Sequence, residues 1–566
     1  MNKEEAVKKI LTKIYGDQKG LNAFKRIITQ INRFPKIEKK QKEYFSHKDI
    51  ILITYGDTLN SNNTSPLNAL SKFADKYFSE VFSAIHVLPF YPFSSDDGFS
   101  VIDFLKVDPN LGTWDDVAGL NKNFDLMFDL VLNHISAKSP WFNKYLMGKK
   151  GFMDLAMEVD PSTDLSNVTR PRSLPLLTEF TKTSGEKVNI WTTFSEDQVD
   201  LNFKSLDVLE KMINVLLWYV QQGAKIIRLD AIAYLWKEIG TSCIHLSNTH
   251  EMVKLFRAIL NIIAPGVIIL TETNVPHDEN TSYFGDGENE AQMVYNFTLP
   301  PLLLHTLVKG DASILSSWAK GLRLKNKQNT FFNFTASHDG IGVRPLEGIL
   351  PDDDINRLVA FVKKNGGNVS YKKNSDGTES PYELNITYID ACRNNTSSKD
   401  PFHIQKFLCS QALQYSLPGV PATYIHNILG SRNWTKGVEK TGRARSINRE
   451  KLQAKDIIAQ LKDNTSFRAQ VFFPYIELIK IRKSQKAFHP NGSFEIMEID
   501  PKVFVIKRSF ENQTIISLTN ISSEKANISL PDNLPGNMQN LFSKEKISLD
   551  SITLKPYQYI WMSHYQ

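Results

Sequence analysis

Three carboxylates, Asp230, Glu272 and Asp339, stand where an apolar run ends. Asp230 closes Ala224-Lys225-Ile226-Ile227-Arg228-Leu229, Glu272 follows Val267-Ile268-Ile269-Leu270, and Asp339 follows Phe331 to Ala336 with Ser337-His338 between. Buried strands that each deliver an acid at the C-terminal end are what a parallel barrel needs to gather carboxylates from distant segments. Such a trio suits glycosyl transfer, in which one carboxylate attacks a sugar carbon and another protonates the leaving oxygen.

Asp230 is the candidate nucleophile. Arg228, two residues earlier, shares its strand face, and a guanidinium there favours the ionised acid. A structural Arg–Asp pair fits the local string equally well. Glu272 is the candidate general acid, which needs a raised pKa and an apolar strand behind it; a solvated Glu at a strand end is the bland alternative. Asp339, beside His338, is placed to hold sugar hydroxyls and stabilise developing positive charge, although Asp339-Gly340 also reads as a simple turn. Asp129 and His134 frame Leu130-Val131-Leu132-Asn133, a further strand entering the same mouth. His134 is a candidate hydroxyl ligand or a structural histidine; Asp129, earlier in the strand, reads as structural.

These residues need a scaffold of alternating strands and helices. Strands are expected near 51–55, 84–88, 126–132, 224–229, 267–271, 293–296, 331–335 and 420–425. Helices are expected near 66–80, 113–122, 205–221, 248–263, 300–308, 352–364 and 404–415. This is the pattern of an α/β chain folded as a (β/α)₈ TIM barrel. The reading divides the chain into an N-terminal helical extension (1–48), the barrel (49–136 and 205–488), a lobe inserted after the third strand (137–204) and a C-terminal antiparallel β domain (489–566). Long connections at 366–403 and 426–450 carry turn signals, among them Gly366-Gly367 and Asn374-Ser375-Asp376-Gly377.

Composition narrows the functional classes. A chain of 566 residues, 41% hydrophobic and 23% charged, is an ordinary globular protein large enough for a barrel with additions. The net charge of +6 is small for that length, and no Lys/Arg face with interleaved aromatics points to nucleic acid. No apolar signal core or membrane-spanning run is visible. The three cysteines, Cys243, Cys392 and Cys409, fit neither a disulfide framework nor a zinc site, so a reduced, cytoplasmic setting is expected. Carboxylate chemistry implies no metal and no organic cofactor.

Taken together, Asp129 to His134, Arg228 to Asp230, Glu272 and His338-Asp339 resemble, in order and spacing, the four signature segments of the α-amylase superfamily of glycoside hydrolases. Leu88-Pro89-Phe90-Tyr91-Pro92, Asp96-Asp97-Gly98-Phe99, Arg170-Pro171-Arg172, His338 to Gly342 and Arg445-Ser446-Ile447-Asn448-Arg449 resemble its sucrose phosphorylase group. Thr271 to His277, Asn374 to Gly377 with Ser380 to Glu383, and Ile428 to Asn433 are similar to the glucosylglycerate phosphorylases within that group, where sucrose phosphorylases proper carry His at the position of Asn274.

The resemblance implies a retaining double displacement with small-molecule partners: glucosylglycerate or a related α-glucoside, inorganic phosphate, and α-D-glucose 1-phosphate. Sucrose, sucrose 6-phosphate and glucosylglycerol phosphorylases, and hydrolases or transglucosidases, share the scaffold and stay open as alternatives. By the same resemblance Asp96 and Arg445 grip the far hydroxyls of a glucosyl unit, with Phe99 and Tyr234 as aromatic walls, for which core packing is the competing account. Phosphate must also enter a site crowded with acids, so cations are needed. Arg172, Lys372, Lys373, Arg432 and Arg445 lie on the insertions expected over the mouth.

Overall fold

Eight short, almost wholly buried strands close on one another in a computed structural model that describes all residues except 1–2, 39–42, 173, 374–377, 395–399, 532–533, 536–537 and 566. They are β1 (Ile51–Thr54), β2 (Ala84–Val87), β3 (Asp125–Val131), β4 (Ala224–Asp230), β5 (Ile268–Thr271), β6 (Met293–Tyr295), β7 (Thr330–Asn333) and β8 (Val420–Tyr424). Every pairing round the ring is parallel, and β8 returns to β1. The strands are dominated by apolar residues because their outer faces are covered by helices and their inner faces fill the barrel; His86, Asp129 and Arg228 are among the buried charged or polar exceptions near the rim.

The helices between them begin where local chemistry lets them. Ser65 accepts from Asn68 N with Pro66 in the first turn, and Thr113 with Asp116 forms a reciprocal capping box. The expected helices all form, within a few residues of the expected ends. A helix at Phe467–Lys483 was not expected. Its Tyr475 Oη donates to Gln411 Oε1 of the helix His403–Ser416 at 2.7 Å and lies 2.9 Å from Thr423 Oγ1 on β8. Phe472-Phe473-Pro474-Tyr475 lies at its centre, and a proline there removes one backbone donor and blurs the helical pattern. Further helices at Ser313–Lys320 and Ala454–Lys462 were likewise not expected.

Helices α1 (Lys3–Tyr15) and α2 (Asp17–Ile31) pack outside the barrel. Lys13 pairs with Glu251 at 2.7 Å, Tyr15 Oη donates to the Phe203 carbonyl at 2.7 Å, and Arg26 pairs with Asp207 at 2.5 Å. At the other end of the chain a six-stranded sheet, antiparallel throughout its pairings, is built on the hairpins of 493–520, with Tyr559–Tyr565 next and Met538–Asn540 and Lys546–Ile547 beyond it. After β3 the chain forms a hairpin, Leu177–Thr181 with Lys187–Trp191. Two charged anchors hold this segment to the barrel. Asp197 accepts from Ser94 at 2.5 Å and Ser100 at 2.8 Å, and also from Ser95. Lys237 Nζ lies 2.7 Å from Asp200 and 2.6 Å from Asn133 Oδ1, all three side chains buried.

Candidate active site

Strand register puts the acids on one rim. Asp129 on β3 lies opposite Arg228 on β4, and Val131 opposite Asp230. Leu270 on β5 lies opposite Arg228, so Glu272, two residues on, emerges beside Asp230. Arg228 is buried between these strands. It touches Asp129, bonds Asp230 Oδ1 at 2.6 Å, donates from Nε to Tyr295 Oη at 3.1 Å and approaches Glu272 Oε2 at 3.9 Å. Asp129 also takes His86 Nε2 at 2.6 Å, which makes it a buried link under the rim. Immediately after Asp230 the chain turns sharply. Ala231 adopts a left-handed conformation (φ 48°), unusual for a residue with a Cβ, and its N–H then donates to Glu272 Oε2 at 2.9 Å.

Asp339 arrives from the loop after β7. Ser337 Oγ accepts from its N–H, Asn448 Nδ2 donates to its carbonyl at 3.0 Å, and Arg449 Nε donates to the His338 carbonyl at 2.7 Å. Its carboxylate lies 2.6 Å from Arg445 Nη1. The loop after β2 brings Asp96 and Phe99, with Gly98 between them at φ +108°. A Cβ on Gly98 would lie 2.6 Å from the Pro89 carbonyl oxygen, so the turn excludes a side chain there.

These groups wall one small cavity of about 90 Å³, lined by Asp96, Phe99, His134, Arg172, Asp230, Glu272, His338, Asp339 and Arg445 among others. Of the residues expected from sequence, Arg228 lies beneath the cavity. Tyr234 stands behind its wall, with its ring 5.5 Å edge-on from Phe194. His134 Nε2 donates to the Phe99 carbonyl at 2.9 Å, and the Phe99 ring stacks on His338 at 4.8 Å. Asp96 takes Arg172 at 3.2 Å and Gln198 Nε2 at 3.3 Å, while Arg445 takes Asp339 and Glu383. Asp96 and Arg445 thus line the same cavity, each held by its own partners. Lys372 pairs with Glu347 and Arg432 with Asp390, both away from the cavity wall, and the Lys373 side chain and Asn374 to Gly377 lie outside the described residues.

Sequence reasoning left out several wall residues: Phe194, Gln198, Asn274, Phe297, Tyr382 and Glu383. Tyr382 and Glu383 sit on the strand Glu379–Asn385, which pairs with Ile341–Gly342 just after Asp339. Their run carried part of the family resemblance, and that was the one signal available for them. Phe194 and Gln198 lie in an irregular stretch without periodicity.

Burial governs the electrostatics. It pushes the carboxyls of Asp230 and Glu272 up; Arg228 opposes this in both, and the neighbouring acids reinforce it. Two acids in one dry site resist losing their last proton. Arg228 lies 2.6 Å from Asp230 and 3.9 Å from Glu272, which favours the negative charge on Asp230 over Glu272. Asp339 and Asp96 are the opposite case. Burial raises them, but nearby guanidiniums (Arg445 for Asp339, Arg172 for Asp96) win and hold both well below the usual carboxylate range. Burial also lowers His134 to about 4 and His338 to about 3, keeping both rings neutral. Among the described residues no group of three or more His, Cys, Asp or Glu is placed to hold a metal ion.

Two adjacent buried carboxyls, one of them against a guanidinium, and a third salt-bridged acid form a set able to cleave and remake an acetal bond. The alpha-amylase catalytic-domain family matches residues 74–367. The chain belongs to the alpha-amylase family. It is an enzyme of that family. A glucosylglycerate phosphorylase of Escherichia coli (strain K12) is 45% identical over 98% of both chains. One from Spirochaeta thermophila is 44% identical over the full length of both. The crystal structure of sucrose 6F-phosphate phosphorylase from Thermoanaerobacter thermosaccharolyticum superposes with a TM-score of 0.75 at 27% identity, covering 90% of this chain and 98% of that one.

Proposed function

We propose that the protein is a glucosylglycerate phosphorylase, converting glucosylglycerate and inorganic phosphate reversibly to α-D-glucose 1-phosphate and glycerate with retention. The observation that carries this reading is the full-length likeness to enzymes of that name at 44–45% identity. The acid set described above supports the mechanism.

Asp230 Oδ attacks the anomeric carbon as the bond to glycerate breaks, and Glu272 delivers its proton to the departing oxygen. Glycerate leaves and a β-glucosyl ester remains on Asp230. A phosphate oxygen then attacks the same carbon, the ester bond breaks, and Glu272 recovers a proton where the phosphate carries one. Asp339 offsets the positive charge that builds on the sugar ring in both steps. Asp96, His134 and His338 hold hydroxyls, with Phe99 as the apolar wall. Arg228 keeps Asp230 ionised. The functional division is the barrel (49–136 and 205–488) with its lobe (137–204) over the mouth, the helical extension (1–48) and the β domain (489–566). Three buried, unpaired cysteines support a cytoplasmic setting.

The test runs the reaction backwards. α-D-Glucose 1-phosphate is supplied with glycerate, fructose, fructose 6-phosphate or glycerol, and phosphate release is followed. Glycerate should give the highest kcat/KM. Equal or better use of another acceptor moves the assignment to that phosphorylase, and sugar release independent of phosphate moves it to a hydrolase.

A further inference from the structure

Five carboxylates wall the cavity (Asp96, Asp230, Glu272, Asp339 and Glu383) against two guanidiniums, Arg172 and Arg445. Glu383 is the one for which the double displacement has no use. It is buried, 3% exposed, and both its oxygens accept from Arg445, from Nε at 2.9 Å and Nη2 at 2.8 Å. The remaining nitrogen, Nη1, faces Asp339 at 2.6 Å. Glu383 is packed hard over the loop that carries Asp339: a Cβ on Gly340 would lie 2.5 Å from Glu383 Cγ.

The two-pronged edge of a guanidinium fits any planar or tetrahedral oxyanion, a side-chain carboxylate or a phosphate alike. Arg445 lines the cavity and keeps 27% of its side chain exposed, and this edge is the one that Glu383 covers. Arg172 is already taken by Asp96 and by the Phe194 carbonyl. A phosphate dianion or an acceptor carboxylate therefore enters against a net negative wall, and the one suitable fork is occupied.

We propose that Glu383 is a specificity-determining residue: an internal anion seated on the Arg445 fork, which the anionic co-substrate must displace, so that Glu383 sets the apparent affinity for oxyanions. This rests on the phosphorylase reading. The geometry gives Glu383 a task that a neutral side chain of the same shape would not perform. It keeps Arg445 neutralised while the cavity is empty, and it gives way when phosphate or the acceptor carboxylate arrives.

Glu383→Gln keeps the shape and removes the charge. With α-glucosyl fluoride, a donor bearing no anionic group, the KM for inorganic phosphate should fall about threefold or more, from the lost repulsion. The KM for α-glucosyl fluoride itself should stay within about twofold. In reverse, with α-D-glucose 1-phosphate, the KM for glycerate should fall likewise. A shift for phosphate alone assigns the fork to phosphate, and a shift for glycerate alone assigns it to the acceptor carboxylate; both uphold the displacement. Glu383→Asp retains the charge and should leave both anion KM values at or above those of the wild type. Unchanged or raised KM values for both anions in a folded Glu383→Gln protein, or the same fall in Glu383→Asp, overturn the proposal. Wild-type protein that shows no phosphorolysis of glucosylglycerate overturns the parent reading instead.

Discussion

The two ends of the barrel both bury arginines, and they use them in opposite ways. At the C-terminal rim Arg228 and Arg445 are held against carboxylates, and the acids around them raise both guanidiniums further against the burial that lowers them. At the base Arg482 and Arg508 meet carbonyls. Arg482 donates to His47 O at 2.7 Å and to Phe488 O at 3.0 Å; Arg508 donates to Ser416 O at 2.9 Å and His489 O at 2.7 Å. Burial lowers Arg482 to about 10 and Arg508 to about 9. The base arginines staple loops and the C-terminal sheet to the barrel, and their charge is incidental. The rim arginines set the protonation of their neighbours, and there the charge is the function. Conserving volume should therefore suffice at neither end, but for different reasons: the base needs donors, the rim needs sign.

The comparison can be broken most forcefully at the rim. Asp230→Asn keeps shape and removes the nucleophile, so turnover should fall about 10⁴-fold or more while the melting temperature holds. Retained turnover would take Asp230 out of its role. Glu272→Gln should cost about 10²–10⁴-fold in kcat with donors whose leaving group needs a proton, and much less with α-glucosyl fluoride, whose leaving group does not.

At the base the expected loss is in stability. Arg508→Met strands the Ser416 and His489 carbonyls, which should destabilise by about 2–4 kcal/mol in denaturant titration. The kcat of the folded protein should be unchanged. A fall in kcat without loss of stability would erase the contrast between the ends.

Acidity provides a subtler test. Glu272 is pushed up in the folded protein, so catalysis should fall as pH rises through that raised value, giving an alkaline limb in kcat/KM that Glu272→Gln lacks. A carboxyl with a raised folded pKa binds its proton more tightly folded than unfolded. Its burden on stability is therefore absent below the unfolded value of about 4 and grows as pH rises toward the folded one. Glu272→Gln should accordingly raise the melting temperature near neutrality, with the gain vanishing below pH ~4. A gain independent of pH would deny that burial raises this acid. The smallest effect is expected at the lobe anchor. Asp197→Asn leaves hydroxyl partners for the side chain, so the KM for donor should rise only a few-fold, about 1 kcal/mol, with kcat preserved.

Three of the rim acids were legible in sequence because each follows an apolar run, and a parallel barrel sends all such termini to one side. Asp230, Glu272 and Asp339 meet there as that logic requires. The eight strands were equally plain, since strands buried on both faces are mostly apolar. Pairings between loops were not legible. Asp96 with Arg172 and Arg445 with Glu383 depend on how irregular segments fold back over the mouth, and no periodicity encodes that. The Phe467–Lys483 helix was hidden by its own composition, with a proline amid aromatics.

The central claim is that sugar passes through Asp230. Glu272→Gln protein incubated with α-glucosyl fluoride and without phosphate, then digested and mass-analysed, should carry one glucosyl ester on the peptide containing Asp230. A glucosyl group on any other residue, or turnover of that donor with no ester on Asp230 at any time point, would contradict the account.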